Sequence, residues 1–237
     1  MKAELITSMG DDLLVVNAAR VSFDKESSYQ SEALCPTDEQ GGKIPPYNRL
    51  KEQDKKLLNY LAKHNHWTPF SHPQICMRET VPIFVARQRF KHMVGFTYNE
   101  VSRRYVDDEP EFYTPDTWRS RPEGSVKQGS GADKIIHLKD GDGSMFINDE
   151  YELAMNYSNN LYKRMLSAGV APEQARMVLP QSMYTSYYVT GSLAAWARAY
   201  KQRIESGAQI EIQELAKQWD EVIKPLFPES WLVLTGE

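Results

Sequence analysis

Seven segments of this chain read as helices and only two as strands, with no regular alternation between the two kinds. A doubly wound sheet needs strands and helices in strict succession, so that architecture is excluded. The pattern predicts an α+β fold: a small, mostly antiparallel sheet surrounded by helices, a single domain over 1–237. The strand-like runs are PQICMRETV, with Ile75, Met77 and Thr80 or Val81 toward the core, and SMYTSYYVTG, rich in aromatic and β-branched residues. The helices begin with DDLLVVNAAR, for which Asp11 or Asp12 is available as N-cap. RLKEQDKKLLNYLAKH follows, with Leu50, Leu57, Leu58 and Leu61 on one side. Pro82 suits the first turn of PIFVARQRFKHMV, which the pattern carries on to Gly95. DEYELAMNYSNNLYKRMLSAG, APEQARMVL, SLAAWARAYKQRIES and AQIEIQELAKQWDEVIKPL complete the set. Two polar, glycine-bearing stretches, 24–48 and 119–145, read as loop insertions. No internal repeat is visible.

Ionisable residues narrow the function. Net charge is −4, which speaks against a general nucleic-acid binder. Yet Arg87, Arg89, Lys91, His92, Arg103 and Arg104 crowd into one short stretch. Cation forks, a serine hydroxyl and backbone N–H groups are what a phosphate monoester requires, and Ser102 and Glu100 lie among them. A solvated helix face is the competing reading of the same charges. No apolar run approaches the length of a membrane span. Cys35 and Cys76 match neither a disulfide framework nor a metal-ligand pattern, so no metal is expected, and the start of the chain lacks a secretory pattern; a reducing cytoplasm is the expected setting. Cys76 falls in a strand expected to be buried and Cys35 in a polar loop, so thiol nucleophilic catalysis is not expected. The GxGxxG fingerprint of a dinucleotide-binding fold is absent.

The stretch 86–105 resembles the signature of flavin-dependent thymidylate synthases, an Arg-His-Arg triplet on a helix followed by Ser, any residue and Arg. Lys91-His92-Met93 stands at the triplet and Ser102-Arg103-Arg104 at the end. MGDDLLVVNAARVSFD, HWTPFSH, PIFVARQ, ARMVLPQSMYT and AQIEIQ are similar to further family segments, in family order. The resemblance implies methylation of dUMP to dTMP, with 5,10-methylenetetrahydrofolate as carbon donor and NADPH-reduced FAD as hydride source. It implies that Gln88, Arg89, Phe90, Lys91 and Glu100 approach dUMP, that Ser102, Arg103 and Arg104 grip its phosphate, and that Arg176 reaches it from a neighbouring subunit of a homotetramer. Arg203 would lie beside the uracil ring and favour its electron-rich form. Arg203 and Ser102 are thus the expected catalytic pair. Ser22, His66, Thr68, Lys91, His92, Met93, Glu100, Ser192 and Arg198 are the expected FAD residues.

The departures fall on the flavin side. Lys91 keeps a charge but loses the bidentate fork of arginine, and Met93 has no charge. Ser192 and Arg198 stand where the family often has Asn, and Gly207 where it often has His. Each lost charge-assisted contact is worth roughly 1.5–3 kcal/mol, so ordinary dUMP binding with weakened FAD binding is expected. A dUMP-binding relative with weakened or lost flavin chemistry is the alternative. An RNA-binding module is a more distant one.

Overall fold

A computed structural model describes residues 1–30, 49–106, 108–122, 129–140 and 143–236. In chain order the elements are β1 (Lys2–Met9), α1 (Asp12–Arg20), α2 (Glu52–Lys63), β2 (Gln74–Pro82), α3 (Ile83–Arg89) and β3 (Phe96–Glu100). A hairpin of β4 (His137–Asp140) and β5 (Gly143–Phe146) leads into α4 (Ile147–Ser167) and the short α5 (Pro172–Ala175). The chain then forms β6 (Tyr184–Ser192), α6 (Leu193–Arg203), α7 (Ile210–Ile223) and α8 (Pro228–Thr235). The main sheet has the order β1-β2-β6-β3, antiparallel throughout, so the α+β expectation holds.

The two strands that were legible in sequence are the central ones. β2 and β6 each span nine residues with the same alternation of buried and open positions, and each runs directly into a helix. They pair in register, with Arg78 opposite Tyr188 at the midpoint. Two strand–helix units, β2–α3 and β6–α6, are therefore related by a local pseudo-two-fold that the sequences themselves hide. One face of the pair carries Ile75, Met77, Val81, Tyr187 and Val189 into a core shared with Val15, Leu58, Phe70, Leu215 and Trp231. The other face keeps Arg78, Thr80, Tyr184 and Ser186 toward solvent or a cavity.

Helix ends follow the chemistry available. Asp11 caps α1, its carboxylate accepting from Leu14 N at 2.9 Å. The buried Asp12 reaches across to the start of α8 and accepts from the backbone N–H groups of Glu229 and Ser230, both at 2.9 Å. Burial holds its carboxyl above the usual carboxylate range. Gln218 on α7 accepts from Ala3 N at 2.8 Å, which ties edge strand β1 to the helical layer.

Two expectations need correction. The helix expected to continue to Gly95 stops at Arg89. The chain tightens there into i→i−3 bonds, Lys91 N donating to Gln88 O and His92 N to Arg89 O, and the Tyr98 hydroxyl on β3 donates to His92 O at 2.7 Å, a carbonyl that a further helical turn would use. Gly95, at φ +80°, makes the turn into β3 instead of ending a helix. Arg87 and Lys91 therefore do not stack on one helical face. Sequence reading also missed β1, β3 and α8. Of the insertions, 31–48, 123–128 and 141–142 lie outside the described residues; Arg119 and Lys134 bridge within the second, and β4 belongs to it.

Candidate functional site

Where the open face of β2 and β6 meets α3, a cavity of ≈ 690 Å³ opens. Four arginines line it: Arg78 from β2, Arg87 from α3, Arg103 from the segment after β3, and Arg176 from the 3-10 turn after α5. Phe90 and Ile83 supply apolar wall. Carboxylates stand among the cations, but two are engaged. Glu109 pairs with Lys163 at 2.7 Å, which holds its carboxyl below the usual range, and Glu100 accepts from the Thr185 hydroxyl at 2.7 Å. Arg78 is held by Ser186 Oγ at 3.0 Å, and Arg103 donates to the carbonyl of Asp108. Such a rim, with forks pre-oriented by neutral partners, suits a phosphate monoester attached to an apolar or aromatic body.

Of the expected substrate residues, Phe90, Glu100, Arg103 and Arg176 meet in this cavity. Arg87, expected only as one of the crowded cations, joins them, as does Arg78, which the sequence did not single out. The signal for Arg78 was its place on the non-apolar face of an otherwise apolar strand. Ser102 and Arg104 lie just outside the lining, the Ser102 hydroxyl accepting from Arg104 N at 3.3 Å. Gln88 and Arg203 line a second cavity of ≈ 640 Å³ with Gly207 and Gln209. One chain thus splits the expected substrate residues over two surfaces.

Arg89 does not reach either surface. Its side chain is wholly buried, paired with the equally buried Glu79 at 3.2 Å. Its guanidinium lies over the rings of Phe96, Trp196 and Trp219, at 4.4 to 4.7 Å, and donates to the Tyr98 hydroxyl at 2.6 Å. Tyr187 completes the cluster by donating to Glu79 at 2.5 Å. Burial among aromatic faces replaces water around the cation, and the carboxylate balances its charge.

That cluster governs His92. The ring is almost enclosed, and Nε2 accepts from Arg203 Nε at 2.8 Å. Burial first, then the positive charges of Arg203, Arg89 and Arg198, push the imidazole down to about 4. His92 is therefore neutral near pH 7, with its proton on Nδ1, and serves as an acceptor that aims Arg203. It brings no charge to a cofactor. Arg203 also donates to Gln88 O at 3.1 Å.

The remaining flavin candidates occupy other places. Ser192 caps α6, accepting from Ala195 N at 3.3 Å, and Arg198 donates to the carbonyl of Val94. Lys91 and Met93 are exposed on the turn between α3 and β3. Ser22, His66 and Thr68 are exposed after α1 and α2, where Tyr60, His64 and His66 gather as a ring cluster with centroids 4.3 to 6.2 Å apart. Among the described residues no group of side chains could hold a metal ion.

Comparison with known proteins decides the family. The model of the thymidylate synthase complementing protein family matches residues 4–229. A flavin-dependent thymidylate synthase of Thermosipho africanus is 36% identical over 94% of this chain and 86% of its own length. The chain belongs to the flavin-dependent thymidylate synthase family. Another member of that family, from Thermus thermophilus, is 31% identical over 96% of this chain and 73% of its own. A UMP/dUMP methylase of Streptomyces cacaoi, solved with 5-Br dUMP, superposes with a TM-score of 0.72 at 27% identity, covering 99% of this chain and 94% of that one. The flavin-dependent thymidylate synthase family is one of methyltransferase enzymes, and the antiparallel sheet with its helical layer is the fold this member shares with the methylase. Among the described residues no helix is long and apolar enough to cross a membrane.

Proposed function

We propose that this chain methylates dUMP to dTMP in the cytoplasm, with 5,10-methylenetetrahydrofolate as carbon donor and NADPH-reduced FAD as hydride source. The observation that carries the reading is the arrangement of cations: two cavities flank the segment from Gln88 to Arg104, one lined by four arginines and one by Arg203. Arg103, Arg104 and Ser102 hold the phosphate from one side. Arg203, aimed by neutral His92, stands at the uracil ring, where a positive charge favours the electron-rich form that carbon-5 chemistry needs. The split of substrate residues over two surfaces supports a site shared between copies, with Arg176 of one chain completing the pocket of another in a homotetramer.

The exposed residues fit a flavin dinucleotide in chemistry. Lys91 offers a cation to a diphosphate, Ser22, Thr68 and His66 offer hydrogen-bonding groups, and exposed Met93 and Trp67 offer apolar surface for a planar ring. Bound and reduced, the flavin supplies the hydride. The chain's part is to hold dUMP, orient its ring and stabilise charge. No cysteine lines the arginine cavity, so thiol attack on the ring has no candidate among the described residues there.

Tritium release from carbon-5-labelled dUMP tests the reading, with FAD, NADPH and methylenetetrahydrofolate present or omitted singly. Release that needs FAD and reductant supports it. Folded protein that binds dUMP and releases nothing favours a nucleotide-binding relative without the chemistry.

A further inference from the structure

A glutamine amide has one accepting and one donating end of nearly equal shape, so its neighbours decide which end a ligand meets. Around Gln88 a run of hydrogen bonds makes that decision. It begins at Glu211 on α7, a residue 3% exposed, whose carboxylate can only accept. One of its oxygens accepts from Arg119 Nη2 at 2.7 Å and the other from Gln209 Nε2 at 2.8 Å. With its amino end committed, Gln209 presents Oε1, and this oxygen accepts from Gln88 Nε2. Gln88 is left with its carbonyl Oε1 free of any partner among the described residues, on the cavity it shares with Arg203. Arg203 fixes the backbone of the same residue through Gln88 O at 3.1 Å.

We propose that Arg119, Glu211 and Gln209 form a polarity relay that locks the Gln88 carbonyl outward, so that this position accepts an N–H or O–H from the bound nucleotide. The inference rests on the reading that dUMP is the substrate. Arg119, Glu211 and Gln209 are positioning residues, since they act through Gln88. On dUMP two donors are available, the ring N3–H and the 3′-hydroxyl of the sugar. A nucleotide that lacks the donor leaves the carbonyl unpaired and is rejected. The relay also connects the second insertion, through Arg119 at its first residue, to the substrate surface.

The test is equilibrium binding of dUMP, dCMP and 2′,3′-dideoxy-UMP to the full-length wild type, to Glu211→Gln and to Gln209→Leu. The first variant gives position 211 a donor and frees both downstream amides to turn over; the second removes the link without stranding a charge. Wild-type protein is expected to bind one of the two analogues at least about tenfold more weakly than dUMP, the identity of that analogue naming the donor. In both variants that penalty should largely vanish. Variants that lose affinity for all three nucleotides in equal proportion, with the penalty intact, assign these residues a merely structural role and overturn the relay. Wild-type protein that fails to bind dUMP removes the substrate reading and the relay together, whereas equal binding of all three removes the relay alone.

Discussion

Single residues here carry roles that their chemical type only half announces. His92 stands in a family motif where cations abound, yet its surroundings make it neutral. The proton balance follows from that. The folded imidazole, at about 4, binds a proton less readily than an unfolded one near 6.5. Between those values the unfolded chain holds more protons, so stability is full above pH 6.5 and declines as pH falls toward 4. Urea unfolding over that window should show a loss approaching about 1.4 kcal/mol per pH unit, absent from His92→Gln. Met93 tells the opposite story. It is 73% exposed, on the turn next to Lys91, and contributes no charge. Met93→Arg restores a guanidinium to a solvent-facing site and should tighten FAD binding by roughly tenfold, the effect of a single charge-assisted contact. A flavin fluorescence titration in which the variant matches wild type would remove Met93 from the cofactor surface.

At the scale of elements, periodicity revealed what is buried on one side and missed what is not. β2 and β6, half-buried along their whole length, were readable. β1 was hidden because its positions are mostly exposed, so its side chains alternate toward nothing apolar. α8 was hidden for another reason: SWLVLT is apolar nearly all round and shows no stripe. β3 did alternate, with Phe96 and Tyr98 packed against the core, but its five residues were overshadowed by the cationic run around it. Its attachment to β6 depends on one missing side chain. A Cβ at Gly191 would lie 2.3 and 2.4 Å from Phe96 ring carbons, and Phe96 has no room to retreat, edge-on to Trp196 at 5.0 Å and beneath Arg89. Gly191→Ala should cost about 1–3 kcal/mol by overpacking. Thermal unfolding would register it, and a second change, Phe96→Leu, should recover part of the loss.

For the whole molecule, family membership was legible because several segments occur in the right order, while the grouping of site residues was not. Sequence order put Arg89 in line with its neighbours at the substrate; only three-dimensional packing shows the guanidinium turned inward onto Glu79 and three aromatic rings. Burial depends on partners such as Trp196 and Trp219, more than a hundred positions away. Conversely, Arg78 comes from a strand that read as core. The remaining gap is assembly. Tyr105, Met177, Val94 and Met93 are each 73 to 78% exposed, apolar surface that assembly between copies would cover. Light scattering coupled to size exclusion should give the mass of four 27.2 kDa chains. A monomer would leave Arg176 with its own chain's cavity and undo the shared site.

The outermost strand of the sheet has a consequence for handling this protein. β1 presents Leu5, Ile6 and Met9 outward, 41 to 54% exposed, along an edge whose backbone groups have no further strand to pair with among the described residues. Left regular, such an edge is a template for fibre growth. Its register against β2 slips between Leu5 and Thr7, so the residues on either side of Ile6 cannot both align with one straight incoming strand. An irregularity that looks like a flaw in pairing is thus a safeguard against amyloid-like stacking, and removing the extra residue would straighten the edge and invite precipitation.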